Sequence, residues 1–227
     1  MTCINSIYTD PYFNIATEKY LLQCSAEDVF MMWQNEPSVI IGKHQDVRTE
    51  VNMDFANKHR IKIGRRISGG GAVYHDLGNV NLTFIENSRK RDFNKYLQMI
   101  IGFLATIGIQ AQPDKRLGLT VNGLKISGSA QYIYKDRTLF HASLLFSTDL
   151  LVLEKVLDSP VADPRIYVRS VKSPVTNICE HLSVPMRIDE FKQKITNYFS
   201  GENYLLNKQD IIEIERLKMN DNDNIRY

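Results

Sequence analysis

The sequence predicts an α+β fold: a single domain with a mixed, largely antiparallel sheet flanked by helices. Three observations carry that expectation. Short β-rich runs bounded by turn residues recur through the first two thirds of the chain. Helical three- and four-residue spacing is confined to a few separate segments. The two patterns interleave irregularly, with hairpin signals where a regular strand–helix alternation would give a parallel sheet. A length of 227 residues allows one good-sized domain or two small ones. No internal repeat or low-complexity linker marks a boundary, so residues 1–218 read as one domain. Its end, about 185–218, is helical, and 219–227 form a polar tail expected to fray.

Asp10-Pro11 starts the first helix, with Asp as cap and Pro in the first turn, and Phe13, Ala16, Tyr20 and Leu21 share one face to about Cys24. Val29–Trp33 and Ser38–Ile41 are short β-rich runs separated by Glu36-Pro37, which reads as a hairpin. A short polar helix at 53–59 precedes strands at 61–65, 72–75 and 80–85. The clearest helix spans 92–107, where Phe93, Tyr96, Leu97, Ile100, Leu104 and Ile107 repeat at helical spacing and Gly108 stops it. Asn122-Gly123 joins strands 119–122 and 124–134 in a hairpin, and Lys135-Asp136 turns into a third strand at 138–146. Two apolar stripes follow: Ile188, Phe191, Ile195 and Tyr198, then Ile211, Ile214 and Leu217.

Composition narrows the class of function. With 43% hydrophobic and 24% charged residues, the chain reads as a soluble globule. A net charge of +2 gives no reason to expect a nucleic-acid or membrane partner. Cys3, Cys24 and Cys179 stand far apart with no CxxC pair, which favours a reducing cytoplasm over a disulfide framework or metal site. The N-terminus lacks a basic segment followed by an apolar run, and no apolar stretch approaches the ~20 residues of a membrane span.

Chemistry concentrates in two runs. The first, residues 65–76, places Arg65 and Arg66 before Ser68 and three consecutive glycines, Gly69, Gly70 and Gly71, followed by Ala72, Val73, Tyr74 and His75. Glycines let backbone lie flat against a ligand and aim N–H groups at anionic oxygens. The arginines add bidentate donors suited to phosphate or carboxylate. A flexible turn with solvated arginines is the other reading, and the run matches neither a P-loop nor GxGxxG. The second run begins at Lys125 and continues through Ser127, Gly128, Ser129 and Ala130. Such small residues inside a strand make sense where a ligand or another backbone comes close. Lys125 is then either a solvated lysine or a cation positioned to stabilise negative charge developing on a carbonyl or phosphate. His44, His59, His75, His141 and His181 have no HxxxH or HxH spacing, so zinc is not expected. No cysteine lies near either run, which argues against a thiol nucleophile.

Together the two runs resemble the lipoate–protein ligase A family, whose catalytic domain is shared with biotin ligases. The family's loop, Arg-Arg-x-Ser-Gly-Gly-Gly-Ala-Val-x-His-Asp-x-Gly-Asn, fits residues 65–79, and its Lys-Ile-Ser-Gly-Ser-Ala fits 125–130. Flanking likenesses include Asn14–Glu18, Trp33–Gln45 and Val175–Asn177. The resemblance implies ATP, with magnesium, as cosubstrate and lipoate as substrate. Lipoyl-adenylate would form first, and a lysine of an apo lipoyl domain in a 2-oxoacid dehydrogenase E2 subunit, or of the glycine-cleavage H protein, would displace AMP. By motif, Lys125 would contact both the lipoyl carbonyl and the phosphate. Arg66 and the backbone of Gly71, Ala72, Val73 and Tyr74 would hold the adenylate. Gly69, Gly70, His75 and His141 would line the lipoyl slot.

Two departures qualify the resemblance. The family's Gly-Arg-Asn-Asp run, which helps handle nucleotide and magnesium, is replaced by Asp114-Lys115-Arg116-Leu117-Gly118, with Asp114 placed to compensate from a shifted position. The chain also matches a short form without the family's C-terminal accessory domain, and such forms can depend on a separate partner chain for adenylation. His141-Ala142 stands where His-Gly is common. The alternatives are a lipoyl or octanoyl transferase using a preactivated donor and a non-catalytic lipoate-binding module.

Overall fold

The structure, a computed structural model, describes residues 1–88, 92–161 and 169–222. The chain opens with strand β1 (Thr2–Asn5) and helix α1 (Pro11–Cys24), which starts where Asp10 accepts from the Tyr12 N–H. Strands β2 (Val29–Trp33) and β3 (Ser38–Ile41) precede two short helices, α2 (Val47–Glu50) and α3 (Met53–Lys58), capped by Asp46 and Asn52. Strands β4 (Lys62–Arg65), β5 (Val73–His75) and β6 (Asn79–Glu86) lead into α4 (Phe93–Thr106). After β7 (Gln112–Pro113), strands β8 (Leu119–Val121) and β9 (Leu124–Tyr134) form the expected hairpin, with positive φ at both Asn122 and Gly123. Strand β10 (Arg137–Leu145), α5 (Leu150–Val156), a 3-10 turn at Ile178–His181, α6 (Ile188–Tyr198), β11 (Glu202–Asn203) and α7 (Lys208–Asn222) complete the order.

The strands divide into two sheets. The larger runs β11-β1-β2-β6-β10-β9-β8-β7 and the smaller β4-β3-β5. Pairing is mixed and largely antiparallel, with parallel contacts at β11–β1, β1–β2 and β3–β4. Glu36-Pro37 does not close a hairpin as expected. Both flanking strands are buried along their whole length and need neighbours on both sides, so β2 pairs with β1 and β6, while β3 pairs with β4 and β5. The turn is where the chain passes from one sheet to the other. Strands β1, β7 and β11 and helices α2 and α5 went unpredicted because each is too short for a period to show.

Alternation along the central strands sorts side chains onto two faces. Val80, Leu82 and Phe84 of β6 and Phe140, Ala142 and Leu144 of β10 face the main core, where Tyr96, Leu97, Ile100, Phe103 and Leu104 of α4 and Phe191 and Ile195 of α6 cover them. Tyr96 stacks on Phe140 with centroids 4.7 Å apart. Full burial of each such side chain stabilises the fold by roughly 1.5–3 kcal/mol. The opposite face carries Asn81, Thr83, His141 and Ser143 and meets α1, which also packs on β4 of the small sheet. Polar residues so placed stay buried only if a second layer satisfies them, and that layer forms the site. No helix among the described residues is long and apolar enough to cross a membrane.

Helix α7 runs to Asn222, so the polar run expected as a tail from residue 219 begins as helix, and 223–227 lie outside the described residues. Asp210 docks this helix. Its carboxylate accepts from the Tyr20 and Tyr204 hydroxyls, both at 2.6 Å, and from the Asn207 N–H at 2.8 Å. Burial alone would raise the carboxyl, but these donors hold it below its usual value. Its stabilisation is therefore full above the ordinary carboxylate range and lost as pH falls through the lowered value. Asp210→Asn should cost about 1–3 kcal/mol at pH 6 by urea unfolding, and the gap to the native chain should close below about pH 4.

Candidate active site

A cleft of about 330 Å³ opens between the two sheets. Its floor is laid by strand register. One rung crosses the large sheet as Trp33–Asn81–Ser143–Gly128, and the next as Met31–Thr83–His141–Ala130. At about 4.8 Å between strands, each rung spans about 14 Å. Gly128 and Ala130 sit where bulkier strand residues would fill this space, and both line the cleft.

The glycine loop forms the facing wall, and Arg66 shapes it. The Arg66 side chain is buried and donates through Nε to Ser68 Oγ (3.0 Å), through Nη1 to the Ile40 carbonyl (3.0 Å), and through Nη2 to the Gly69 (2.8 Å) and Gly71 (2.7 Å) carbonyls. Burial lowers the guanidinium to about 10, still charged at neutral pH. Gly70 takes a φ of +93°, a conformation that side chains resist, and this lets the loop fold around the guanidinium. Arg65 points elsewhere, to the Gly42, Lys43 and Gln45 carbonyls.

Helix α1 supplies the second layer. Asn14 and Glu18, four residues apart on one face, are both buried. Glu18 Oε1 lies 3.0 Å from His141 Nδ1 and accepts from Thr83 Oγ1 (2.6 Å), which accepts in turn from Trp33 Nε1 (2.9 Å). The far nitrogen, His141 Nε2, lies 2.8 Å from Ser68 Oγ. Asn14 Nδ2 donates to Asn35 Oδ1 (3.0 Å), leaving Asn35 Nδ2 to donate to His75 Nδ1 (3.1 Å).

Lys125 stands where β9 begins, held by backbone bonds to Pro174 and Thr176. Its Nζ is 3.8 Å from Asp114 Oδ2, and burial pushes the ammonium down from its usual value, with Asp114 opposing. Asp114 Oδ1 accepts from the Arg116 N–H (2.7 Å) and the Gly118 N–H (2.8 Å). Burial works against that carboxylate, but these donors and the Lys125 charge keep it below its ordinary value. Asp114, the residue expected to compensate for the missing Asn-Asp pair, thus stands beside Lys125. Arg116 and Lys125 line the cleft with Arg169, Ser170 and Val171.

Residues 10–200 match the family model described as the lipoyl protein ligase A/B catalytic domain. The chain belongs to that family. It is 37% identical to lipoate–protein ligase 1 of Staphylococcus aureus over 94% of this chain and 68% of that protein. With a lipoate–protein ligase of Bacillus subtilis it shares 32% identity over 96% of this chain and 66% of the relative. With the human mitochondrial lipoyl amidotransferase it shares 38% over 78% of this chain and 49% of the relative. Among solved structures, a bipartite lipoate protein ligase from Thermoplasma acidophilum has the same fold, with a TM-score of 0.81 at 23% identity over 96% of this chain and 91% of that one. Lipoate-protein ligase A bound with ATP gives 0.78 at 23% identity, covering 96% and 95%.

The structure brings Arg66, Gly70, Gly71, Ala72, Val73, His75, Lys125 and His141 into one cleft. Two expected residues fall outside it. Alternation along β5 turns the Tyr74 side chain into the small-sheet core with Val39 and Ile63, so at most its backbone faces a ligand. Gly69 precedes the turn at Gly70 and gives its carbonyl to Arg66 without lining the cleft. Asn81, Glu18 and Ser170 were missed. Glu18 was legible as the end of the Asn14–Glu18 run, four residues after Asn14 and so on the same helix face. Ser170, which accepts from the Ala72 N–H (2.7 Å) and from Gln45 Nε2 (3.1 Å), carried no local signal. Asn177 is structural, pairing its amide with both backbone groups of Thr148.

A Cβ on Gly118 would meet the Ser127 carbonyl oxygen at 2.6 Å, Asp114 Oδ2 at 2.8 Å and Lys125 Cε at 3.0 Å. On Gly69 it would meet nothing within 4 Å. Gly118→Ala should therefore lose about 1–3 kcal/mol in urea unfolding while Gly69→Ala stays near the native value.

Proposed function

We propose that this chain is a lipoate–protein ligase: it activates lipoate with ATP as lipoyl-adenylate and transfers the lipoyl group to a lysine of an acceptor protein. The observation that carries the reading is the partly buried Lys125, facing the glycine loop across one cleft and held beside Asp114. In the first step a lipoate carboxylate oxygen attacks the α-phosphorus of ATP and pyrophosphate leaves. In the second, the acceptor's neutral amine attacks the acyl carbonyl, and AMP leaves as the amide forms. The acceptor lysine, with an unperturbed pKa of about 10.4, must shed a proton first. Lys125 would stabilise charge on the acyl and phosphate oxygens in both steps, and Arg66 would hold the loop backbone that receives the adenylate. The catalytic contribution is placement and charge, with no covalent enzyme intermediate.

Among the described residues no group of three His, Cys, Asp or Glu side chains is placed to hold a metal ion. Lipoyl domains of 2-oxoacid dehydrogenase E2 subunits are the proposed acceptors, in keeping with the E2 lipoyl domain named beside the Thermoplasma ligase, and the H protein is a second. That ligase is bipartite, which supports a separate accessory chain here as well.

A transferase acting on preformed lipoyl-adenylate is the second reading. It is favoured by Leu117-Gly118 in place of the Asn-Asp pair and by the likeness to the human lipoyl amidotransferase. One experiment separates the two. Incubated with apo lipoyl domain, lipoate and Mg-ATP, a ligase raises the acceptor's mass by one lipoyl group. A transferase does so only when synthetic lipoyl-adenylate replaces lipoate and ATP. No modification under either condition, with or without an accessory chain, rejects both. Lys125→Ala should slow transfer about 10²–10³-fold while the unfolding midpoint stays within the native range. Near-native transfer would remove Lys125 from the reaction.

A further inference from the structure

Two buried polar groups of the cleft have no partner among the described residues. His75 is 4% exposed and Asn81 2% exposed; both line the cleft, and neither His75 Nε2 nor Asn81 Nδ2 has a hydrogen bond to any described residue. The protein determines which proton His75 carries. Asn14 donates to Asn35 Oδ1, so Asn35 presents its N–H to His75 Nδ1, which must accept. Burial, with the nearby Arg66 charge, pushes the imidazole down to about 3, so the ring is neutral at ordinary pH and Nε2 bears its hydrogen. His75 stands edge-on to Trp33, the neighbour of Asn81 on the floor rung, with centroids 5.9 Å apart. The same rung ends at Gly128, where an added Cβ would meet Lys125 Cε at 3.8 Å. A chain whose carboxyl meets Lys125 therefore points its tail at these donors.

We propose that His75 Nε2–H and the Asn81 side-chain amide read the tail of the acyl group, selecting one that carries hydrogen-bond acceptors, the sulfurs of a dithiolane ring, over an all-hydrocarbon tail. Sulfur is a weak acceptor, but the alternative beside a hydrocarbon is two buried donors with nothing to bond. A site built around such donors rejects the analogue lacking the acceptor more strongly than a purely apolar slot rejects a change of shape. This inference rests on the reading of the cleft as an acyl slot and adds the substrate class it prefers.

Trp33 is the chain's single tryptophan, so its fluorescence reports occupancy of this end. The full chain is titrated with lipoate, with octanoate, and with cyclopentylpentanoate, which keeps the ring and replaces both sulfurs by carbon. Lipoate should bind at least about tenfold more tightly than either carbon analogue. Asn81→Leu and His75→Phe should each cut that ratio to about threefold or less by weakening lipoate, with the analogues held or improved. Equal binding of lipoate and cyclopentylpentanoate in the native chain, or parallel loss of all three acids in both variants, overturns the inference while leaving the acyl slot intact. Binding of none of the three overturns the slot reading and the inference with it.

Discussion

The buried guanidinium of Arg66 is the constraint around which the site is arranged. Taking an ion of this size out of water costs several kcal/mol even after relaxation, so a fold that buries it must satisfy its donors. Carbonyls from Ile40 on β3 and from Gly69 and Gly71 in the loop do so, with Ser68 Oγ as a fourth acceptor. Those bonds set the loop's path and explain the positive φ at Gly70. They also turn the loop carbonyls inward toward the cation. An arginine that a sequence reader assigns to phosphate is here first a backbone organiser, and any contribution to charge in the cleft acts from behind the loop.

From Ser68 the constraint extends to His141, Glu18, Thr83 and Trp33, so one hydrogen-bonded line joins the glycine wall, the floor of the large sheet and helix α1. A parallel line runs from Asn14 through Asn35 to His75. Both start on the same face of α1, which packs on both sheets and thereby sets their separation. The cleft is thus a gap between two sheets linked through a single helix. Bonded lines of this kind favour one geometry, because any shift strands several groups at once.

Much of the fold was legible in the sequence because its longer elements carry strong local signals. Asp10-Pro11, Gly108 and Asn122-Gly123 act within a few residues, and the structure bears out each of them. The Glu36-Pro37 turn misled because a hairpin and a crossover between sheets share the same turn chemistry, and burial of both neighbouring strands decided between them. Of the site, Arg66, Lys125 and the glycines were visible as motifs, and alternation along β5 accounts for the inward turn of the Tyr74 side chain, which leaves its backbone as the part expected at the site.

The sequence alone determined the candidate groups for the site, the family, and the mixed α+β class, since these follow from residue type and short-range spacing. Tertiary structure decided what each group faces. Asp114 reaches Lys125 because Gly118 has no side chain to separate them, and Ser170 meets the glycine loop from 98 residues away. Asn81 stands beside Trp33, which meets His75 edge-on, only because β6 pairs with β2 in one register. Contacts of that kind depend on strand order and packing between sheets, and no local pattern encodes them.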